Sequence, residues 1–367
     1  MLNTQRIKHI IGLLEPYDPG FFQSDIIKKY GIPKEQIINL SSNENPNFFP
    51  TELAEKLAKD LLNVNRYPNP SYNVLKEAIS EYVNLPIECI AVGNGSSDLI
   101  ELACKILLNP LDKVVMPVPT YTLYILESMI WEAGITYVET EKSEFNIKAE
   151  NMKPYLNDAK LVFLGSPNNP TGQSIDKKEL ERMLDADKVT FIVDEAYSEF
   201  SDKTSVDLIK KYDNLIVMRS LSKYFCLAGL RIGYSLSNPA IAESLEKVRL
   251  PFTINRIAST AAILALRNIK HFQRMAKELL SDRDELKAEL KKIGLTPFHS
   301  DANFLMVKLP EGMDSNKFSE MLAMQGVIVR SLKKLLGLSN GEYIRITIGS
   351  EKENKKFVET CKKLLHN

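Results

Sequence analysis

A lysine set behind two hydroxyls is the first place where this sequence could do chemistry. Ser220-Leu-Ser-Lys223 lies within the stretch from Met218 to Tyr234, among apolar residues, with Arg231 eight positions beyond the lysine. A single lysine is ordinarily solvated surface. Held in an apolar pocket it loses pKa and becomes a usable amine nucleophile or base. Hydroxyls and a guanidinium nearby suit a phosphate. Asp194 ends the run Val189 to Val193, inside Phe191-Ile-Val-Asp-Glu-Ala-Tyr197. Ligands of open α/β sheets sit at the carboxyl ends of strands. A carboxylate there costs desolvation energy unless a cation offsets it. The plainer reading is a helix-capping Asp on an exposed loop.

Gly93-Asn-Gly-Ser-Ser-Asp98 follows a strand-like Cys89 to Val92 and opens an apolar helix, Leu99 to Leu108. A glycine-rich turn feeding a helix presents free N–H groups and a positive dipole end, an anion site in principle. The plainer reading is a helix cap by Ser96 or Ser97. The third glycine of a dinucleotide fingerprint is missing, and no P-loop motif occurs. Ser166-Pro-Asn-Asn-Pro-Thr-Gly172 is a turn in any reading. Arg345 lies in Tyr343-Ile-Arg-Ile-Thr-Ile-Gly349, whose plainer reading is a half-exposed strand.

The elements that must position these residues follow from periodicity. Ser71 to Val83 has helical spacing. Apolar runs at Lys113 to Pro117, Ile135 to Val138, Leu161 to Leu164, Val189 to Val193 and Leu215 to Met218 predict strands buried on both faces, as in a parallel sheet. Helix-like segments between them argue for an α/β fold. After Arg249 the texture changes. Helices are predicted at Asn255 to Arg267, His271 to Ile293, Asp314 to Met324 and Glu351 to Leu365. Strands are predicted at Asn303 to Lys308, Val327 to Val329 and Tyr343 to Ile348, which suggests a smaller α+β domain. The division expected is an N-terminal segment, 1–35, packing with the small domain, a large domain, 36–250, and the small domain, 251–367.

Composition excludes several classes. The 367 residues carry 47 Lys plus Arg against 47 Asp plus Glu, so there is no positive excess for binding nucleic acid or anionic membrane. No apolar run is long enough to span a membrane. The cysteines Cys89, Cys104, Cys226 and Cys361 are scattered, as expected of reduced thiols in a cytoplasmic protein. The four histidines are equally dispersed, and no metal site is expected.

Taken in order, the glycine-rich helix start, N-N-P-T-G, D-E-A-Y, S-L-S-K, L-A-G-L-R-I-G-Y and R-I-T resemble the fold-type I pyridoxal-phosphate enzymes of the aspartate aminotransferase superfamily. They cover residues 93 to 347. The histidinol-phosphate aminotransferase family is a closer resemblance, almost from end to end. It rests on Leu14-Glu-Pro-Tyr-Asp-Pro-Gly20, Leu40-Ser-Ser-Asn-Glu-Asn-Pro46, Arg66-Tyr-Pro68, Pro119-Thr-Tyr121, Lys247-Val-Arg-Leu-Pro-Phe252, Ala302-Asn-Phe304, Gly326-Val-Ile-Val-Arg330 and Tyr343 to Gly349. Two departures stand out: Asn47-Phe-Phe49 where the family often has tyrosine and glycine, and Cys226 where it usually has glycine.

The resemblance implies roles. Lys223 would hold pyridoxal phosphate as a Schiff base and then move the substrate Cα proton. Asp194 would pair with the protonated pyridine nitrogen, Tyr197 and Asn169 would bond the ring 3-oxygen, and Tyr121 would stack on the ring. Ser96, Ser97, Ser220, Ser222 and Arg231 would meet the cofactor phosphate, with Tyr67 reaching it from a second subunit of a homodimer. Arg345 would grip the co-substrate carboxylate. Tyr17 and Arg330 would meet the phosphate of histidinol phosphate, and Asn43 joins them on the substrate side. The implied reaction is transamination between an amino donor and 2-oxoglutarate. The rivals are an aromatic or other amino-acid aminotransferase, threonine-phosphate decarboxylase, and a non-catalytic binding protein on the same fold.

Overall fold

Strands buried on both faces should read as unbroken apolar runs, and the central strands do. The computed structural model describes residues 7–14, 20–141 and 143–365. Its strands in chain order are β1 (Ile38–Asn39), β2 (Ile90–Gly93), β3 (Lys113–Val118), β4 (Gly134–Glu139), β5 (Ala159–Gly165), β6 (Thr190–Asp194) and β7 (Leu215–Ser220). They continue as β8 (Gly233–Leu236), β9 (Thr296–Pro297), β10 (Phe304–Lys308), β11 (Val327–Ile328), β12 (Arg330–Ser331) and β13 (Tyr343–Thr347). One seven-stranded sheet runs β2-β8-β7-β6-β5-β3-β4. Its β3, β4, β5, β6 and β7 pair in parallel, while β8 is antiparallel to both neighbours. The α/β class and the mostly parallel sheet expected from the sequence are both present.

Alternation along each strand feeds two cores. Val162, Leu164, Phe191, Val193, Leu215 and Val217 pack on one face, and Leu161, Phe163, Ile192, Ile216 and Met218 on the other. All are buried. At about 1.5–3 kcal/mol for each such side chain, a one-residue slip would be prohibitive, so the sheet register is fixed. The helices α1 (Gln23–Tyr30), α2 (Thr51–Ala58), α3 (Asn73–Val83), α4 (Ser96–Leu107) and α5 (Thr122–Ile130) come first in the chain. Leu75, Ala78 and Ile79 of α3 join the first core, and Leu99, Ile100 and Ala103 of α4 the second. The later helix Arg256–Arg267 lies across α2 and α3 through Ala258, Ala261, Ala262 and Ala265, small residues that permit close approach.

The C-terminal sheet is antiparallel, in the order β12-β13-β10-β9. Helices Ile269–Lys292 and Glu351–Leu365 supply Leu286, Leu290, Phe357 and Cys361 to its packing. β1 pairs in parallel with β11. The sequence reading has no β1, β8, β9 or β12: three of these are two-residue strands with no period to detect, and β8, Gly-Tyr-Ser-Leu, is a short mixed run without the continuous apolar signature. The N-terminal segment touches more than its predicted partner. Ile26 of α1 packs with Ala323 and Ile328, while the turn His9–Leu13 rests on α5 and Lys8 pairs with Glu132 at 3.7 Å.

One buried ionic cluster ties the sheet's central strands at their carboxyl ends. Arg219 on β7 donates to Glu195 Oε2 at 2.8 and 3.2 Å and to Thr204 Oγ1 at 2.8 Å, and its Nη1 lies 3.4 Å from Glu199. Glu195 also accepts from the Thr204 hydroxyl and the Ser205 N–H. Removing one member of such a set strands the others without a counter-ion. Arg219→Met is therefore expected to lower stability by about 3–5 kcal/mol, read as a drop in the urea midpoint. Adding Glu195→Gln and Glu199→Gln to it should recover much of the loss. An unchanged midpoint for Arg219→Met would show that the cluster contributes nothing.

Candidate active site

The carboxyl ends of β2, β3, β5, β6 and β7 open on one cavity of about 330 Å³. Ser96 and Ser97 enter it after β2, Tyr121 after β3 and Asn169 after β5. Asp194 and Tyr197 come from the end of β6, and Ser220, Ser222 and Lys223 from the end of β7. Arg231, Asn43, Arg330 and Arg345 line it as well. The in-register neighbours Gly165, Asp194 and Met218 show why: β5 and β6 end at one level, and β7 runs two residues further, to Ser220.

Lys223 is half-buried, and its Nζ donates to the Ser42 carbonyl at 2.8 Å. Burial pushes its pKa down to about 8, Arg345 and Arg231 add to that fall, and Glu44 opposes it. The loop before it is held by Asn45, whose Nδ2 donates to the Lys223 carbonyl at 3.0 Å.

Asp194 is buried at the end of β6, not on the exposed loop of the plainer reading. Its Oδ1 accepts the Ala196 N–H at 3.0 Å, and its Oδ2 accepts the Tyr124 hydroxyl at 2.8 Å. Burial raises its carboxyl to about 6; those two hydrogen bonds oppose the rise and Glu195 adds to it. The sequence reading missed Tyr124. No local signal marks it, because the partner that gives it a role is seventy residues away in sequence.

Anion-binding groups gather opposite. α4 begins at Ser96 with Gly95 at its cap, φ +86°, so neither serine is the cap considered from sequence. The positive φ is what restricts the position to glycine, and a Cβ there would also displace the end of the Arg231 side chain, whose Nη2 would lie 2.6 Å away. Arg231 donates to Ser97 Oγ at 3.2 Å and to Ser222 Oγ at 3.3 Å, and the Ser222 N–H donates to Ser220 Oγ at 3.1 Å. Arg231 itself has φ +52°, an unusual conformation for a branched-off long side chain and one that marks functional sites. Helix N–H groups, hydroxyls and a guanidinium around one space are the chemistry of a phosphate site.

Arg345 arrives from β13 and donates to Asn169 Oδ1 at 2.7 Å and to the Ser41 carbonyl. Arg330 on β12 is its cross-strand partner, so two guanidinium groups share one sheet position. Segment 41–45 runs between the two sheets. The Asn43 N–H donates to Thr347 Oγ1 at 2.8 Å, and Asn43 Nδ2 donates to the Tyr197 hydroxyl at 3.0 Å. Ser41, Ser42 and Asn45 were not singled out from sequence, since their contributions are backbone carbonyls and loop contacts. Phe22, Leu332 and Leu335 form an apolar wall.

Two predicted residues stand elsewhere. Tyr67 does not line this cavity; it is 76% exposed and stacks on Phe252 at 4.3 Å. Tyr17 lies outside the described residues, as does most of the Leu14 to Gly20 motif. Of the two departures, Cys226 occupies a left-handed position, φ +56°, where glycine would sit without strain. Phe48 is exposed, while Phe49 packs toward Phe272 at 6.1 Å.

The family model for aminotransferases of class I and II matches residues 35–360. A curated relative from Archaeoglobus fulgidus, called histidinol-phosphate aminotransferase 2, is 40% identical over 98% of this chain and 100% of its own length. The crystal structure of the histidinol-phosphate aminotransferase from Clostridium acetobutylicum is similar with a TM-score of 0.84 and 29% identity, over 90% of this chain and 100% of that one. The Sinorhizobium meliloti histidinol-phosphate aminotransferase, solved in complex with pyridoxal-5'-phosphate, has a TM-score of 0.88 at 22% identity, over 99% and 98% of the two chains.

The Lys223 amine gives a direct test of the cavity's electrostatics. In protein stripped of bound small molecules, its rate of arylation should rise to half-maximum near pH 8. Arg345→Leu removes a positive neighbour, which favours the charged amine, so the midpoint should move up. Peptide mapping of the labelled lysine reads both. A midpoint shared with the surface lysines would show that burial does not depress the amine.

Proposed function

The chain belongs to the aminotransferases of class I and II, and from that premise we propose that it transfers the amino group of L-histidinol phosphate to 2-oxoglutarate. The observation that carries the substrate assignment is the full-length similarity to curated relatives of that name, at 40% identity for the first. The site supports it: Arg330 and Arg345 present two guanidinium groups to one cavity, enough for a phosphate and a carboxylate.

Pyridoxal phosphate is the cofactor, and the donor set fits it. Gly95 opens α4 without a side chain beside Arg231, and the space is ringed by N–H, hydroxyl and guanidinium donors. When bound, the cofactor supplies an electron sink for negative charge at the substrate carbon that carries the amine. Ser96, Ser97, Ser220, Ser222 and Arg231 would hold its phosphate, Asp194 its ring nitrogen, Tyr197 and Asn169 its 3-oxygen, and Tyr121 its ring face. Lys223 Nζ would anchor it and act as the base that moves the substrate proton. An amine whose pKa lies near 8 is partly neutral at working pH, which that role requires. Arg345 would grip the keto-acid carboxylate with two parallel bonds, a geometry lysine cannot reproduce. Arg330, with Tyr17 and Asn43, would meet the substrate phosphate end.

We place the enzyme in the cytoplasm as a homodimer. Its four cysteines are free, and among the described residues no helix is long and apolar enough to cross a membrane. The exposed Tyr67–Phe252 pair, flanked by exposed Leu61, Leu62, Val64 and Leu250, is where a second copy would dock.

Assay with histidinol phosphate and 2-oxoglutarate should yield glutamate with no carbon dioxide; release of carbon dioxide from threonine phosphate instead would replace this reading with the decarboxylase. Arg330→Ala should raise KM for histidinol phosphate at least about tenfold more than KM for histidinol, since a charged hydrogen bond to phosphate is lost. Equal effects would remove Arg330 from the phosphate.

Mixed dimers of Tyr67→Ala and Lys223→Ala chains test the shared site. If Tyr67 serves the partner's site, each hybrid holds one intact site and one with both lesions, and activity returns to about half. If it serves its own, mixing restores nothing beyond the Tyr67→Ala residual.

A further inference from the structure

The Asp194 carboxylate is held by two donors of different kinds. The Ala196 N–H belongs to its own turn and would form around any Asp at this position. The Tyr124 hydroxyl comes from another element, α5, seventy residues away in sequence, and reaches Oδ2 at 2.8 Å. The tyrosine ring has no freedom to do otherwise. It is 2% exposed and lies parallel to Phe163 of β5, centroids 4.9 Å apart and planes 2° apart, with Tyr121 meeting its edge at 5.5 Å and 89°. A phenol fixed on both sides, with its O–H aimed at one carboxylate oxygen, selects a single orientation of that carboxylate.

We propose that Tyr124 is a positioning residue that orients Asp194 and keeps it ionised toward the cofactor's ring nitrogen. This rests on the reading of Asp194 given above. The geometry requires it in two ways. A carboxylate accepts at two oxygens with about four lone-pair directions between them. With Oδ1 held by Ala196 and Oδ2 by Tyr124, the carboxylate plane cannot rotate, and the lone pairs left over face the cavity that Asp194 lines. The second reason is charge. Buried in an apolar sheet end, the carboxylate tends toward its neutral form, and a hydroxyl donor bonds the ionised form better. The neighbouring Glu195 carboxylate works against ionisation, and its pairing with Arg219 limits that effect. A neutral Asp194 could not pair with a protonated ring nitrogen, so the hydroxyl protects the charge on which the pairing depends.

Tyr124→Phe removes only the hydroxyl and keeps the ring between Phe163 and Tyr121. The readout is equilibrium binding of pyridoxal phosphate to the protein stripped of it, beside binding of the 1-deaza analogue, which has carbon in place of the ring nitrogen. Wild type should bind pyridoxal phosphate more tightly than the analogue. Tyr124→Phe should lose about tenfold or more in affinity for pyridoxal phosphate, the scale of one hydrogen bond to a charged group, and little for the analogue. In an Asp194→Asn background the same substitution should change neither affinity, because its effect passes through the carboxylate. In the reconstituted enzyme kcat should fall while KM for both substrates holds. Equal losses for the two compounds would overturn the proposal and leave Tyr124 a packing residue. So would an undiminished affinity for pyridoxal phosphate. If wild type itself bound both compounds equally, the Asp194 assignment would fail first, and that result is distinct from either failure of Tyr124.

Discussion

Keeping an amine and a carboxylate out of water in one cavity is the constraint on which this structure depends. Each group would rather be hydrated or neutral: burial draws Lys223 down to about 8 and Asp194 up to about 6. Parallel strands offer a place where this can be arranged, because their ends lie at one level and their faces are sealed by helices. Loops at the strand ends then supply partners without exposing the sheet. Ser42 gives a carbonyl to the lysine, and Ala196 and Tyr124 give donors to the aspartate. The Arg219 cluster behind them holds β6 and β7 together where these loops begin. The site is thus placed by charge pairing below it and apolar packing beside it.

One short segment bridges the two sheets at that cavity, beside the direct bond from Arg345 to Asn169. Residues 41–45 bond Thr347 on one side and Tyr197 and the Lys223 carbonyl on the other. Asn43 adopts φ +53° to do so, a conformation asparagine tolerates better than most residues. A side chain that bridges sheets makes the position of Arg345, on the C-terminal sheet, depend on the loop that also carries the contacts to Lys223. Binding at the arginine and chemistry at the lysine therefore share a support.

Much of this was legible in the sequence, for reasons that can be named. The runs at Leu161 to Leu164 and Leu215 to Met218 became β5, which starts two residues earlier and ends one later, and β7, which ends two later, because continuous burial leaves a continuous apolar signature. The motif order located most of the cavity wall. Tyr124 was not legible, since its partner is seventy residues away and nothing local distinguishes it from a core tyrosine. The Arg219 cluster was missed for a similar reason: Glu195 and Arg219 are charged residues in apolar surroundings, and only the pairing of β6 with β7 explains how they can be buried. The two serines that follow Gly95 drew the capping reading, but the positive φ at Gly95, not capping propensity, decides the residue there.

Arg330 and Arg345 are directly opposed on antiparallel strands and both line the cavity. Arg345 donates to Asn169 Oδ1 and to the Ser41 carbonyl, bonds that aim the guanidinium. Its charge reaches Lys223 and, with that of Arg231, helps to lower the amine. An anion bound at either of these two arginines masks part of the charge that lowers the lysine, and by linkage restores some of its basicity. The affinity of the pocket for anions and the readiness of its amine are therefore coupled through Arg345 and Arg231.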